Sequence, residues 1–222
     1  MTTRPCPPAA FHRLAPATMA IGLGLLLAGC SIVGNKPKDA PTVYAPDPRP
    51  AAAPEWPSVT WQLGVTAPAS SRSVDSVRIA VRPSANELQV YKGATWAKPP
   101  SAMLVDSLLR TLEDSGRIPV ATRAGSGINT DYRLVLDIRR FESAYADAAA
   151  MPSATIEVNA KLMHVKDQQV VASRTFLQAQ PASATAVPAV IDAFDRALGA
   201  LTGQMAGWVL ASGEAHERGV HR

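Results

Sequence analysis

Side chains that perform chemistry are scarce in this chain. Among 222 residues there are two cysteines, Cys6 and Cys30, and four histidines, while Trp, Tyr and Phe number four each. A serine hydrolase needs a nucleophile elbow, and Gly125-Ser126-Gly127 lacks the G-x-S-x-G spacing. No glycine-rich segment joins a strand directly to a helix in a phosphate-cradling arrangement. His216 and His221 fall in a polar tail from Gly213 to Arg222, read as frayed, without the helical or CxxC setting of a zinc site. His164 is the one histidine of the central region and lies in the apolar phase of a strand. It reads as a core or sheet-edge residue, with a ligand or general base as the lesser alternative. Neither a catalytic set nor a cofactor or metal is expected.

Charge of one sign is also lacking. Lys and Arg total 22 against 18 Asp and Glu. Removing Arg4 and Arg13 with the leader described next leaves 20 against 18, a net +2. Nothing in that balance calls for nucleic acid.

Residues 1–29 contain no acid at all. They carry Arg4 and Arg13 at the start, then an apolar run from Leu14 to Leu27, and close on Leu27-Ala28-Gly29-Cys30. These are the parts of a secretory signal. The run falls short of the ~20 apolar residues that span a bilayer, and no A-x-A site precedes Cys30. The closing tetrapeptide resembles the lipobox of bacterial lipoproteins. That likeness implies cleavage between Gly29 and Cys30 and acylation of the Cys30 thiol, the only covalent lipid expected. Two or more acyl chains, at roughly 0.8 kcal/mol per buried CH₂, hold a protein stably at a membrane. With Cys6 removed and Cys30 blocked, no internal disulfide is possible, so the folded part depends on its own core.

Seven prolines between Ser31 and Pro57 favour extended, polyproline-like conformers. Residues 30–57 read as a tether, either a spacer of defined reach or a loose N-terminus. At ~3.1 Å per residue its reach is up to roughly 80 Å.

From Ser58 the pattern becomes that of a folded domain, residues 58–212. Val59, Trp61 and Leu63 alternate with polar or small residues, as do Val77–Arg82, and Glu87–Tyr91 follows a turn. Pro99-Pro100-Ser101 opens a helix, with Ser101 a suitable cap and Gly116 a stop. Leu104, Val105, Leu108, Leu109 and Leu112 form its stripe, while Asp106, Glu113 and Asp114 are solvent-facing charges. A short strand is expected over Ile118–Thr122. Strands around Tyr132–Arg139, Ile156–Met163 and Val170–Gln178 read as an antiparallel meander. A helix from Pro188 carries Ile191, Phe194, Leu198, Leu201, Met205 and Trp208 at spacings of three and four. Gly199, Gly203 and Gly207 share one of its lines. That spacing pairs helices in membranes, but Asp192, Asp195 and Arg196 favour close backbone approach on a soluble helix. The whole reads as a single-domain α/β fold, a mixed sheet with packed helices. Tyr91 and Trp96 flank Lys92-Gly93-Ala94-Thr95. Trp96 is either an exposed partner anchor or a staple onto the core.

The stretch from Val77 to Trp96, VRIAVRPSANELQVYKGATW, continuing into AKPPSAMLVDSLLRTLEDSG, resembles the ABC-type transport auxiliary lipoproteins, the group that includes the paraquat-inducible C lipoprotein. Tyr132–Glu142 (YRLVLDIRRFE) and the closing Ala-rich helix share the resemblance. It implies a TolB N-terminal-domain-like mixed sheet and a non-catalytic periplasmic component of a lipid-transport system. Its partners would be an MCE-domain protein and its ABC transporter or permease, with homo-oligomers possible. Arg78, Arg82, Tyr91 and Trp96 become the candidate partner contacts. Ser31, in place of Asp after the modified cysteine, favours the outer membrane over the inner. A structural lipoprotein serving another outer-membrane machine is the alternative, and an envelope enzyme the third reading.

Overall fold

The computed structural model describes residues 40–147 and 150–220. Gly29 and Cys30, with the leader and His221, lie outside them. Three long strands dominate: β7 (Tyr132–Ala144), β8 (Ser153–His164) and β9 (Val170–Pro181) form the expected antiparallel meander. Strict alternation explains them. Tyr132, Leu134, Leu136 and Ile138 on β7, and Ala154, Ile156, Val158, Ala160 and Leu162 on β8, are all buried on one face. Asp137, Arg139 and Glu157 project from the other, where Arg139 lies 3.7 Å from Asp137 and 3.5 Å from Glu157.

The second edge of β7 is shared in succession by three short parallel partners. These are β2 (Gln62–Val65), β3 (Ala69–Ser70) and the end of β4 (Arg78–Ser84). Outside β2 runs β6 (Val120–Arg123), and outside β4 runs β5 (Glu87–Trp96), antiparallel. The result is a mixed, open, nine-stranded sheet with β9 at one margin.

Two helices cover its apolar face. In α1 (Pro100–Ser115), Leu104, Val105, Leu108 and Leu112 are buried as the stripe requires. Gly116, at φ 63°, ends the helix in the left-handed conformation that glycine tolerates. Its start differs from expectation. Ser101 does not cap; Asp75, in the loop before β4, accepts from the Ser101 amide at 3.0 Å and its hydroxyl at 2.9 Å. A carboxylate beside free amides at a helix start serves the same end from a distant position.

The second helix, α2 (Val187–Val220), packs on β8, β9 and α1. It corrects the expected frayed tail. Gly213 is buried beneath Trp61, and the hydroxyl of the buried Tyr132 reaches His216 Nδ1 (2.7 Å) and Glu217 Oε1 (2.6 Å). Polar composition suggested solvent, but these polar groups bind back to the domain. No described helix is long and apolar enough to cross a membrane.

The tether expected over residues 30–57 is corrected too, from residue 40 onward. A strand β1 (Thr42–Tyr44) pairs in parallel with the end of β5, Val43 opposite Thr95. The arm then runs along α2. Pro48 lies over Gly199, Pro50 over Gly203 and the buried Trp56 over Gly207. The Asp47 amide donates to Asp195 Oδ1 at 3.0 Å, and Arg110 of α1 pairs with the Asp47 carboxylate. Proline rings, which need no amide partner, fill the channel left where α2 has no Cβ atoms. From Ala40 onward the described chain therefore belongs to one compact unit.

Candidate functional site

The hairpin of β4 and β5 carries all four residues proposed as partner contacts, with Arg78 and Trp96 at its base. Trp96 is 2% exposed. Its ring stands edge-on to Phe141 (centroids 6.0 Å apart) and Phe194 (5.1 Å), which themselves stack at 5.2 Å. The staple reading is correct, and Trp96 is no surface anchor. Aromatic packing of this kind, joining β5, β7 and α2, belongs to the core.

Arg82 is likewise committed inward. Its Nε and Nη2 donate to the two oxygens of Glu142 at 2.7 and 2.9 Å, and Nη1 donates to the Ala85 carbonyl at 3.0 Å. Arg140 Nε adds a bond to Glu142 Oε1 at 2.9 Å. Burial alone would raise the Glu142 carboxyl; the two guanidinium groups outweigh it and hold the acid below its ordinary range. Arg82 thus positions the hairpin and has no free fork for a partner. Tyr91 is half-buried, with its hydroxyl 3.0 Å from Ser143 Oγ, and burial pushes the phenol up to about 12. It seals the junction of hairpin and sheet.

Arg78 is the exception. It is exposed and makes no ion pair among the described residues. Beside it lies a shallow groove of about 350 Å³ lined by Arg72, Ser73, Ser76, Arg78, Leu88 and Val90. Leu88 is 39% exposed and Val90 43%, and strand alternation puts them on one face. Val77, next to Arg78 in sequence, is 46% exposed. Sequence reading missed Leu88 and Val90, because an alternating strand implies that its aliphatic phase is covered. The signal available was the placement of β5 after a turn and beside few other strands. An aliphatic strip with guanidinium groups along it fits a protein surface that offers apolar side chains and carboxylates.

Elsewhere, Gly125 and Gly127 adopt φ of 87° and 85° in the expected loop. Asp106 is not a plain solvated charge: Lys98 Nζ reaches it at 2.7 Å and Arg123 pairs with its other oxygen. His164 closes β8 between β7 and β9 with its side chain 15% exposed and its Nδ1 unpartnered, so it is neither a sheet-edge histidine nor a satisfied core one.

Comparison with known proteins gives a consistent picture. The family model described as "ABC-type transport auxiliary lipoprotein component" matches residues 42–206. The crystal structure of protein XCC0632 from Xanthomonas campestris is 50% identical, with a TM-score of 0.77, covering 80% of this chain and 99% of its own. A crystal structure of an uncharacterised protein, 14% identical, shares the fold with a TM-score of 0.59 over 76% of this chain and 97% of its own. No curated protein matches.

Proposed function

This chain belongs to the ABC-type transport auxiliary lipoprotein family, and from that premise we propose that it is a non-catalytic adaptor. Membership carries the coarse statement, a lipoprotein component working beside an ABC-type transporter. The finer reading has Cys30 acylated after cleavage at Gly29 and the domain facing the periplasm, the outer membrane favoured. There the β4–β5 hairpin docks the MCE-domain protein that bridges the envelope to its transporter for lipid movement. The observation that carries it is the groove on that hairpin, where Leu88, Val90 and Arg78 share an exposed surface. Desolvating such a strip stabilises a complex at ~25 cal/mol per Å² of apolar area before association costs.

A photo-crosslinker at Leu88 in intact envelopes should capture the MCE-domain protein, and one at Lys161 on the opposite part of the sheet should not. Leu88→Glu should abolish co-purification of that partner. Equal capture from both positions, or capture unaffected by Leu88→Glu, would sink the docking claim. Labelled palmitate should enter the wild type and not Cys30→Ala; label on the variant would remove the anchor.

A further inference from the structure

His164, Asp167 and His216 come from three different places: the end of β8, the β8–β9 turn and the last turns of α2. One ligating atom from each lies within 4.8 Å of the others. The His164 and His216 rings sit 4.9 Å apart between centroids. His164 Nδ1 is buried and has no hydrogen-bond partner, although Asp167 Oδ1 stands 3.1 Å away, out of line for a hydrogen bond. A buried ring nitrogen without a partner is costly and calls for an explanation.

The hydrogen bonds of the Tyr132 hydroxyl assign the tautomer of His216. The Tyr132 hydroxyl donates to Glu217 Oε1 at 2.6 Å, so toward His216 Nδ1, 2.7 Å away, it is an acceptor. Nδ1 therefore carries the proton and Nε2 the lone pair. This is how metal-binding histidines are commonly oriented, the far ring nitrogen donating to an oxygen. The Gln169 amide donates to Asp167 Oδ1 at 3.1 Å and so holds the carboxylate in place.

We propose that His164, Asp167 and His216 form a binding site for a divalent, imidazole-preferring metal ion of the zinc class. Two imidazoles and one carboxylate are a ligand set that zinc accepts. Around a tetrahedral ion with bonds of about 2.0–2.2 Å, neighbouring ligand atoms stand roughly 3.3 Å apart. The His164–Asp167 separation of 3.1 Å already matches that bite. His216 has a ligating atom within 4.8 Å of both, so closing the set takes a shift of its ring. No short motif announced the site, because His216 lies some fifty residues beyond His164 and Asp167 and meets them only when α2 folds back over Tyr132. Bound metal would clamp the end of α2 to the β8–β9 turn.

The test is calorimetric titration of tag-free, chelator-treated full-length protein in detergent with zinc chloride. One saturable site per chain is expected, weakened tenfold or more by Asp167→Asn and by His216→Gln. Tyr132→Phe keeps the ring in place but removes the acceptor behind His216, and should weaken binding severalfold. Asp167 lies on an exposed turn, so Asp167→Asn should preserve the far-ultraviolet circular dichroism of the wild type and separate site loss from unfolding. Absence of saturable binding in the wild type, or unchanged affinity in Asp167→Asn and His216→Gln, overturns the assignment.

Discussion

Glu142 is 2% exposed in its side chain, yet two arginines reach it from β4 and β7. Its carboxyl titrates below its value in the unfolded chain, where a glutamate has a pKa near ~4.3. A depressed folded pKa adds stability that is complete above the unfolded value and disappears as pH falls through the folded one. The unfolding free energy should therefore drop as pH is lowered below about 4. Glu142→Gln should flatten that acid limb and, at neutral pH, cost about 2–3 kcal/mol, since Arg82 and Arg140 are partly solvated and lose only part of their partnership. Urea denaturation from pH 3 to 7 would check both; an unchanged acid limb in Glu142→Gln contradicts the assignment. The sequence reading grouped Arg78 and Arg82 as candidate partner contacts. Alternation along β4 could not separate them, because what distinguishes Arg82 is an acid sixty residues away on a strand whose register is set by tertiary pairing.

At the level of elements, α2 shows how its glycines act individually. A Cβ at Gly207 would stand 2.5 Å from Trp56 Nε1, whereas at Gly203 it would meet Pro50 at 3.5 Å, an ordinary contact. Gly207→Ala should thus displace Trp56 and destabilise by about 1–3 kcal/mol. Gly203→Ala should gain about 0.5–1 kcal/mol from helix propensity. Chemical denaturation of the pair, with limited proteolysis between Pro46 and Pro57, distinguishes a receptor line from a run of small residues; equal effects of the two substitutions would contradict it. The spacing of Gly199, Gly203 and Gly207 was legible as close approach by something. The identity of that partner was not, because a proline-rich segment has the same composition whether it hangs in water or lies along a helix. The long meander and both helices were legible because their periodicity is sustained over many residues. Strands β1 and β3, three and two residues long, carry no period to detect.

Over the molecule as a whole, β7 and β8 are central and buried, while β5 and β9 have the greater share of exposed positions. Stability should be graded accordingly. Native-state hydrogen exchange should find the amides of Leu134–Ile138 and Ile156–Leu162 slowest, with Leu88–Lys92 exchanging orders of magnitude faster; uniform protection would contradict the gradient. The docking surface proposed on the less protected hairpin could then adjust to a partner without disturbing the core. The mixed α/β class followed from the order of strands and helices, but the serial use of one β7 edge by β2, β3 and β4 did not. Parallel pairing of such short segments leaves no local signature.

The clasp of Pro48, Pro50 and Trp56 on Gly199, Gly203 and Gly207 also constrains the order of events during biogenesis. The residues that open the described part of the chain find their seat among the last to be synthesised. A chain synthesised from its amino end must hold that opening segment unplaced until α2 arrives, so closure of the domain is a late, high-contact-order step. A nascent chain interrupted before Gly199 has no seat to offer, and its early tryptophan stays available to chaperones and proteases.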